Sequence, residues 1–151
     1  MSSLDRKGRK RSDYGYFLSY RTRWSDNDQY SHMNNAVYYH LYDSIINDYL
    51  AKHCGVKATS SSVIGLVVTS SSDFYRPVGY PQVLELGLRV SKLGKSSVTY
   101  EVGVFEEGVE LVAAVGGYTH VFVERSNRKP GNMSSEIRAG LEKLALVGGK
   151  L

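Results

Sequence analysis

Apolar residues recur every three to four positions from Asn35 to about His53: Val37, Tyr38, Leu41, Tyr42, Ile45, Ile46, Tyr49 and Leu50. That spacing predicts one long helix with a broad buried face, with His40, Asn47 and Ala51 on the opposite side and Gly55 as its stop. Elsewhere the period is two. In Gln82–Leu93, Leu84, Leu86, Leu88 and Val90 alternate with Val83, Glu85, Gly87 and Arg89, the pattern of a strand with one apolar face. Tyr16–Trp24, Val63–Tyr75, Ser96–Glu106 and Val109–Glu124 also read as strands.

The links Arg76–Pro81, Leu93–Ser96 and Glu106–Glu110 are short and rich in Gly and Pro. They predict antiparallel neighbours, with the last four strands forming a meander. Ser134–Leu146 reads as a short amphipathic terminal helix. One curved antiparallel sheet wrapped around one helix, an α+β architecture, accommodates these elements.

Composition changes this picture little. The 151 residues fit one domain, and the apolar share of 42% and charged share of 23% are those of a globular protein. The net charge of +4 is concentrated: residues 1–13 carry five basic and two acidic residues, leaving the remainder near neutral at +1. We therefore expect a disordered basic arm over 1–13, a single folded domain over 14–151, and no nucleic-acid surface on the folded part. The lone Cys54 excludes an internal disulfide and reads as a packed thiol. With neither an 18-residue apolar run nor a secretory leader, an intracellular, cytoplasmic setting is expected, an organelle being the alternative.

The chemistry collects just before the long helix, in "RWSDNDQYSHMNN" (Arg23–Asn35). A calcium loop starting at Asp26 would need Asp or Asn at Tyr30, Gly at Ser31 and Glu at Val37, and fails at all three. "GKS" (Gly94–Ser96) lacks the earlier glycine of a P-loop, since Arg89 stands there. It reads as a solvated turn or, with Lys92, as a phosphate contact. Asp28 precedes a helix start that Asn34 or Asn35 would cap. A carboxylate beside unpaired amides of a helix N-terminus is what acyl transfer from an ester or thioester requires; loop and capping roles for both aspartates are the plainer alternative. His32 reads as a structural histidine or a pocket wall, and no serine or cysteine triad is supported.

The motif D-x-D-x-x-S-H-M-N-N-x-x-Y-Y, with "FYRPVGYPQVLELGLRVSKLGKSSVTYEV" and "GGYTHVFVER" after the helix, resembles the 4-hydroxybenzoyl-CoA thioesterase group of the hotdog-fold acyl-CoA thioesterases over about Tyr16–Arg125. The resemblance implies a hotdog fold of about five strands and an acyl-CoA thioesterase that needs no cofactor beyond its coenzyme A substrate. It implies a homodimer or homotetramer with sites at subunit interfaces. It puts Asp28 at the catalytic carboxylate, as nucleophile or general base, and the Asn35 N–H at the oxyanion. His32, Tyr38, Asp43, Lys92, Lys95 and Ser96 would contact substrate, the last three near the CoA phosphates. Two departures stand out: Ser31 replaces a common glycine, and bulky Trp24 and Tyr30 flank the motif, lining either an acyl pocket or a subunit contact. A hydratase is disfavoured, because Asp26 and Asp28 stand six and four residues before His32 rather than five. A non-catalytic acyl-CoA or acyl-carrier binder is the remaining alternative.

Overall fold

The computed structural model describes residues 6–145. Five strands, β1 (Tyr16–Arg21), β2 (Val63–Phe74), β3 (Val83–Leu93), β4 (Ser97–Glu106) and β5 (Ala114–Glu124), form one antiparallel sheet in the order β1-β3-β4-β5-β2. The long helix α1 (Asn35–His53) lies against its concave face, and α2 (Ser135–Ala145) packs beside it on β3. This is the hotdog arrangement.

The predicted helix face is the observed one. Tyr38, Leu41, Tyr42, Ile45, Ile46, Tyr49 and Leu50 are buried, against Leu84, Leu86, Leu88 and Val90 of β3 and Val98, Tyr100, Val102 and Val104 of β4. Gly116 lets the helix lie close on the sheet: a Cβ there would stand 2.3 Å from the Tyr42 ring. At the far end the N–H groups of Cys54 and Val56 both donate to the Leu50 carbonyl, with Gly55 at φ +66° turning the chain. Cys54 is buried, and burial pushes its thiol up to about 12, so it stays protonated.

Three expectations change. The last four strands are not a meander, because β2 pairs with β5 at the opposite edge from β1 and only β3, β4 and β5 run as successive neighbours. The segment 75–82 is therefore no hairpin but a crossover that passes along one end of the sheet. β1 stops at Arg21, after which Trp24–Asp26 forms a 3-10 turn, and the last strand begins only at Ala114.

The arm is the third. Residues 6–13 cross the outer face of the sheet as a strap; residues 1–5 lie outside the described chain. Arg6 pairs with Asp73 on β2 at 2.5 Å, Arg9 grips Glu101 on β4 at 2.9 and 3.1 Å, and Arg11 meets Glu85 on β3 at 2.9 Å. Val112 N–H donates to the Arg9 carbonyl, and the Tyr14 ring lies over Gly87 and Gly103, where a Cβ would come within 2.8 and 2.7 Å of it. Three of the five basic residues that sequence reading took for a solvated tail are paired with acidic residues far along the chain.

Candidate active site

The segment between β1 and α1 is a closed loop held by its own backbone. Asn34 N–H donates to the Asp26 carbonyl at 2.8 Å, Asn27 and Met33 form a bridge, and Asp28 N–H donates to the His32 carbonyl at 2.7 Å. This ladder turns the chain back so that Asp28 faces the residues leading into the helix. Ser31 takes φ +65° at the turn, the left-handed region that a glycine would occupy without cost.

Asp26 anchors the loop. It is buried and accepts hydrogen bonds from the Tyr20 hydroxyl (2.6 Å), the Arg23 N–H (2.7 Å) and the Arg23 guanidinium (2.9 Å). Burial works to raise its carboxyl, but those donors outweigh it and hold the group below the usual carboxylate range. A carboxylate so fully engaged is structural.

Asp28 is engaged on one side only. Its Oδ1 accepts the N–H groups of Tyr30 (2.7 Å) and His32 (3.2 Å), whereas Oδ2 has no hydrogen-bond partner among the described residues. It lines a cleft of about 340 Å³ with Trp24, Asn27, Ser31 and Tyr80. At the helix start Asn34 caps Ala36 N–H at 3.0 Å, and Val37 N–H reaches the Asn34 carbonyl at 2.9 Å. The N–H of Asn35, the first helical residue, has no acceptor among the described residues. A carboxylate oxygen without a hydrogen-bond partner and a free helix-terminal donor therefore stand on the two arms of one short loop. Chemically they can attack or deprotonate at an acyl carbon and hold the resulting oxyanion.

The other residues named from sequence are scattered. The His32 side chain is exposed and does not line the Asp28 cleft; its links to Asp28 run through its backbone. Tyr38 is in the core, its ring edge-on to Phe74 at 4.8 Å, and burial raises its phenol to about 12. Asp43 lines a second cleft, of about 260 Å³, with Ala36, Tyr39, His40, Val67, Ser70 and Tyr118. There it accepts the Tyr118 hydroxyl at 2.5 Å and the Asn47 side-chain amide at 3.2 Å. Sequence reading missed Tyr118, because the contact joins residues 75 positions apart.

Lys95 and Ser96 sit on the β3–β4 turn and Lys92 at the end of β3 beside it, with both lysines exposed. Gly94 N–H donates to the Ser97 carbonyl, the Ser96 and Lys95 carbonyls accept Phe122 and Met133 N–H groups, and Arg138 of α2 donates to the Gly94 carbonyl. The turn is thus rigidly held. It lies, however, at the opposite end of β3 from the Asp28 loop, which begins where Thr22 N–H meets the Gln82 carbonyl. The eleven residues of β3 separate the two ends by about 30 Å. One protomer does not bring them together.

A family model described as Thioesterase superfamily matches residues 30–113. The PA5185 protein of Pseudomonas aeruginosa strain PAO1 is 45% identical, covering 89% of this chain and 94% of its own, with a TM-score of 0.87. The chain belongs to the thioesterase superfamily. Slr0204, a 1,4-dihydroxy-2-naphthoyl-CoA thioesterase from Synechocystis, shares the fold at 12% identity and a TM-score of 0.76, over 85% of this chain and 96% of its own. No curated protein matches. Membership in the superfamily supports a hydrolytic, thioesterase-type activity and agrees with an acyl-CoA type of substrate. Among the described residues, no helix is long and apolar enough to cross a membrane.

Proposed function

We propose that this thioesterase hydrolyses an acyl-CoA to the free acid and coenzyme A at Asp28. The observation that carries the reading is the pairing of the open Asp28 Oδ2 with the unpartnered Asn35 N–H on the two arms of one backbone-locked loop. Oδ2 attacks the thioester carbonyl carbon, or draws a proton from a water that does so. The carbonyl oxygen becomes an oxyanion that the Asn35 N–H receives, and the C–S bond breaks with the thiolate taking a proton. In the first route, water then hydrolyses the aspartyl anhydride and returns Asp28. Asp43, held by Tyr118 in the neighbouring cleft, contacts substrate or water from the other side of the helix start.

The working unit is a homodimer. β2 is an edge strand of twelve residues whose Val67 and Val68 are 46% and 60% exposed. It carries no lysine or proline, and its single charge, Asp73, is taken up by Arg6. An edge so long and unprotected invites a second strand. Two-fold, antiparallel docking of β2 on the β2 of a second copy turns the partner end for end. Its lysine turn then shares one end of the assembly with this chain's Asp28 loop, which lets Lys92, Lys95 and Ser96 serve the CoA phosphates of a site completed across subunits.

A panel of acetyl-, octanoyl-, palmitoyl- and benzoyl-CoA with detection of free thiol tests the proposal. Turnover of at least one member is expected. Binding without thiol release from any of them would mark the protein as a non-catalytic acyl-CoA binder.

A further inference from the structure

We propose that Trp24 and Tyr80 form the wall on which the acyl group of the substrate lies, making them specificity-determining residues for an apolar acyl chain. The inference rests on the reading of Asp28 as the reacting carboxylate, and names what is bound beside it.

Trp24 is the protein's only tryptophan and is 81% exposed, at the mouth of the Asp28 cleft. An indole carries one of the largest apolar surfaces available to a side chain, so leaving it in water forgoes a large part of its burial energy. The Tyr80 ring stands edge-on to it, centroids 5.8 Å apart, and contributes a second apolar surface from a different segment of the chain.

The wall is built rather than incidental. Tyr80 N–H donates to Asn27 Oδ1 at 3.0 Å, and Met33 N–H donates to the Val78 carbonyl at 2.7 Å, stitching the crossover to the Asp28 loop. Gly79 makes this approach possible: a Cβ there would stand 3.0 Å from Asn27 Oδ1 and 3.3 Å from the Ser31 carbonyl. On the other side Trp24 opens the turn that buried Asp26 closes. The backbone segments that carry both rings are therefore fixed before any ligand arrives, which lowers the ordering cost of binding.

The distribution of polarity identifies the occupant. Asn27, Asp28 and Ser31 supply the polar groups of the cleft and the two rings its apolar surface. A thioester carbonyl brought to Asp28 has two arms: pantetheine, which carries amides that want hydrogen-bond partners, and the acyl group, which in most acyl-CoAs wants none. The cationic turn suited to the CoA phosphates is no part of this cleft and reaches it only from the second subunit of the proposed dimer. The apolar arm thus falls to the rings.

Because Trp24 is the sole indole, its emission reports on this wall alone. In an Asp28→Asn protein, which retains substrate, titration with octanoyl-CoA is expected to blue-shift and saturate that emission, with little response to coenzyme A. Trp24→Ala, at an exposed position that leaves the fold intact, should lower kcat/KM for octanoyl-CoA on the order of tenfold while changing acetyl-CoA by less than about twofold, the scale of apolar-pocket discrimination. Tyr80→Ala should act in the same sense. Equal losses on both substrates, a full response to coenzyme A alone, or emission that follows protein dilution instead of acyl-CoA would overturn the assignment. If the unaltered protein cleaves no thioester, the catalytic reading fails separately, and the emission titration still decides what the rings hold.

Discussion

Asp28 and His32 are joined twice: Asp28 N–H donates to the His32 carbonyl at 2.7 Å, and His32 N–H donates back to Asp28 Oδ1 at 3.2 Å. The two bonds close a tight loop whose strained point is Ser31, at φ +65°. Replacing Ser31 by Gly removes the left-handed penalty of a Cβ, partly offset by the greater freedom of an unfolded glycine. Ser31→Gly should therefore stabilise the protein by about 0.5–1 kcal/mol, read by urea unfolding, with little change in thiol release.

Half-buried Arg9 and buried Glu101 make an ion pair that holds the strap to the sheet. Glu101 is only 4% exposed and also accepts the Tyr14 hydroxyl at 2.8 Å. Arg9→Ala strips that carboxylate of its counter-charge without returning it to water. A loss of about 3 kcal/mol in unfolding free energy is expected, recovered in part when Glu101→Gln is added. An unchanged midpoint would mean that the strap does not bear on the sheet.

His120 gives stability an acid dependence. It is buried among Tyr100, Tyr118 and Phe122, and burial lowers its pKa to about 4, against a small opposing pull from Asp43. The folded ring stays neutral where the unfolded one takes up a proton, so the unfolded state binds more protons. Stability must then fall as pH drops from about 6.5 to about 4, by about 3 kcal/mol in all, and level off below. Urea unfolding at pH 7.5, 5.5 and 4 measures that slope, and His120→Asn should remove most of it.

The β2 edge makes a prediction about assembly. Val68 lies at a register irregularity of the edge strand and is solvent-exposed in one protomer. Val68→Glu places a charge where a partner strand would dock, which a dimer cannot accommodate without desolvating it. Sedimentation equilibrium should show a dimer for the unaltered protein and a monomer for the variant; a dimer for both would move the interface elsewhere.

Local order was legible in the sequence and distant order was not. The 3.6-residue period of α1, the alternation of β3 and the cap at Asn34 are written in neighbouring residues and were found where expected. Short Gly–Pro links do not say which strand a chain rejoins, so the journey of β2 to the far edge was hidden behind a segment that reads as a turn. The strap was concealed for the same reason: Arg6, Arg9 and Arg11 read as solvated until Asp73, Glu101 and Glu85, 67 to 92 positions away in the two cases that are bridged by side-chain hydrogen bonds, are folded beneath them. At the site, the proposed role of Asp28 came from the family resemblance, since spacing alone left both aspartates as plain loop residues, whereas the Tyr118–Asp43 bond depends on strand register.

The central claim is that Asp28 performs the chemistry, and one substitution isolates it. Asp28→Asn keeps a side-chain oxygen for the Tyr30 and His32 N–H groups while removing the negative charge that attack or proton abstraction needs. With the acyl-CoA that the unaltered protein cleaves best, thiol release by the variant should fall by at least about 10³-fold while affinity for the substrate stays within a few-fold. Release within about tenfold of the unaltered protein would contradict the account and move the catalytic role away from Asp28.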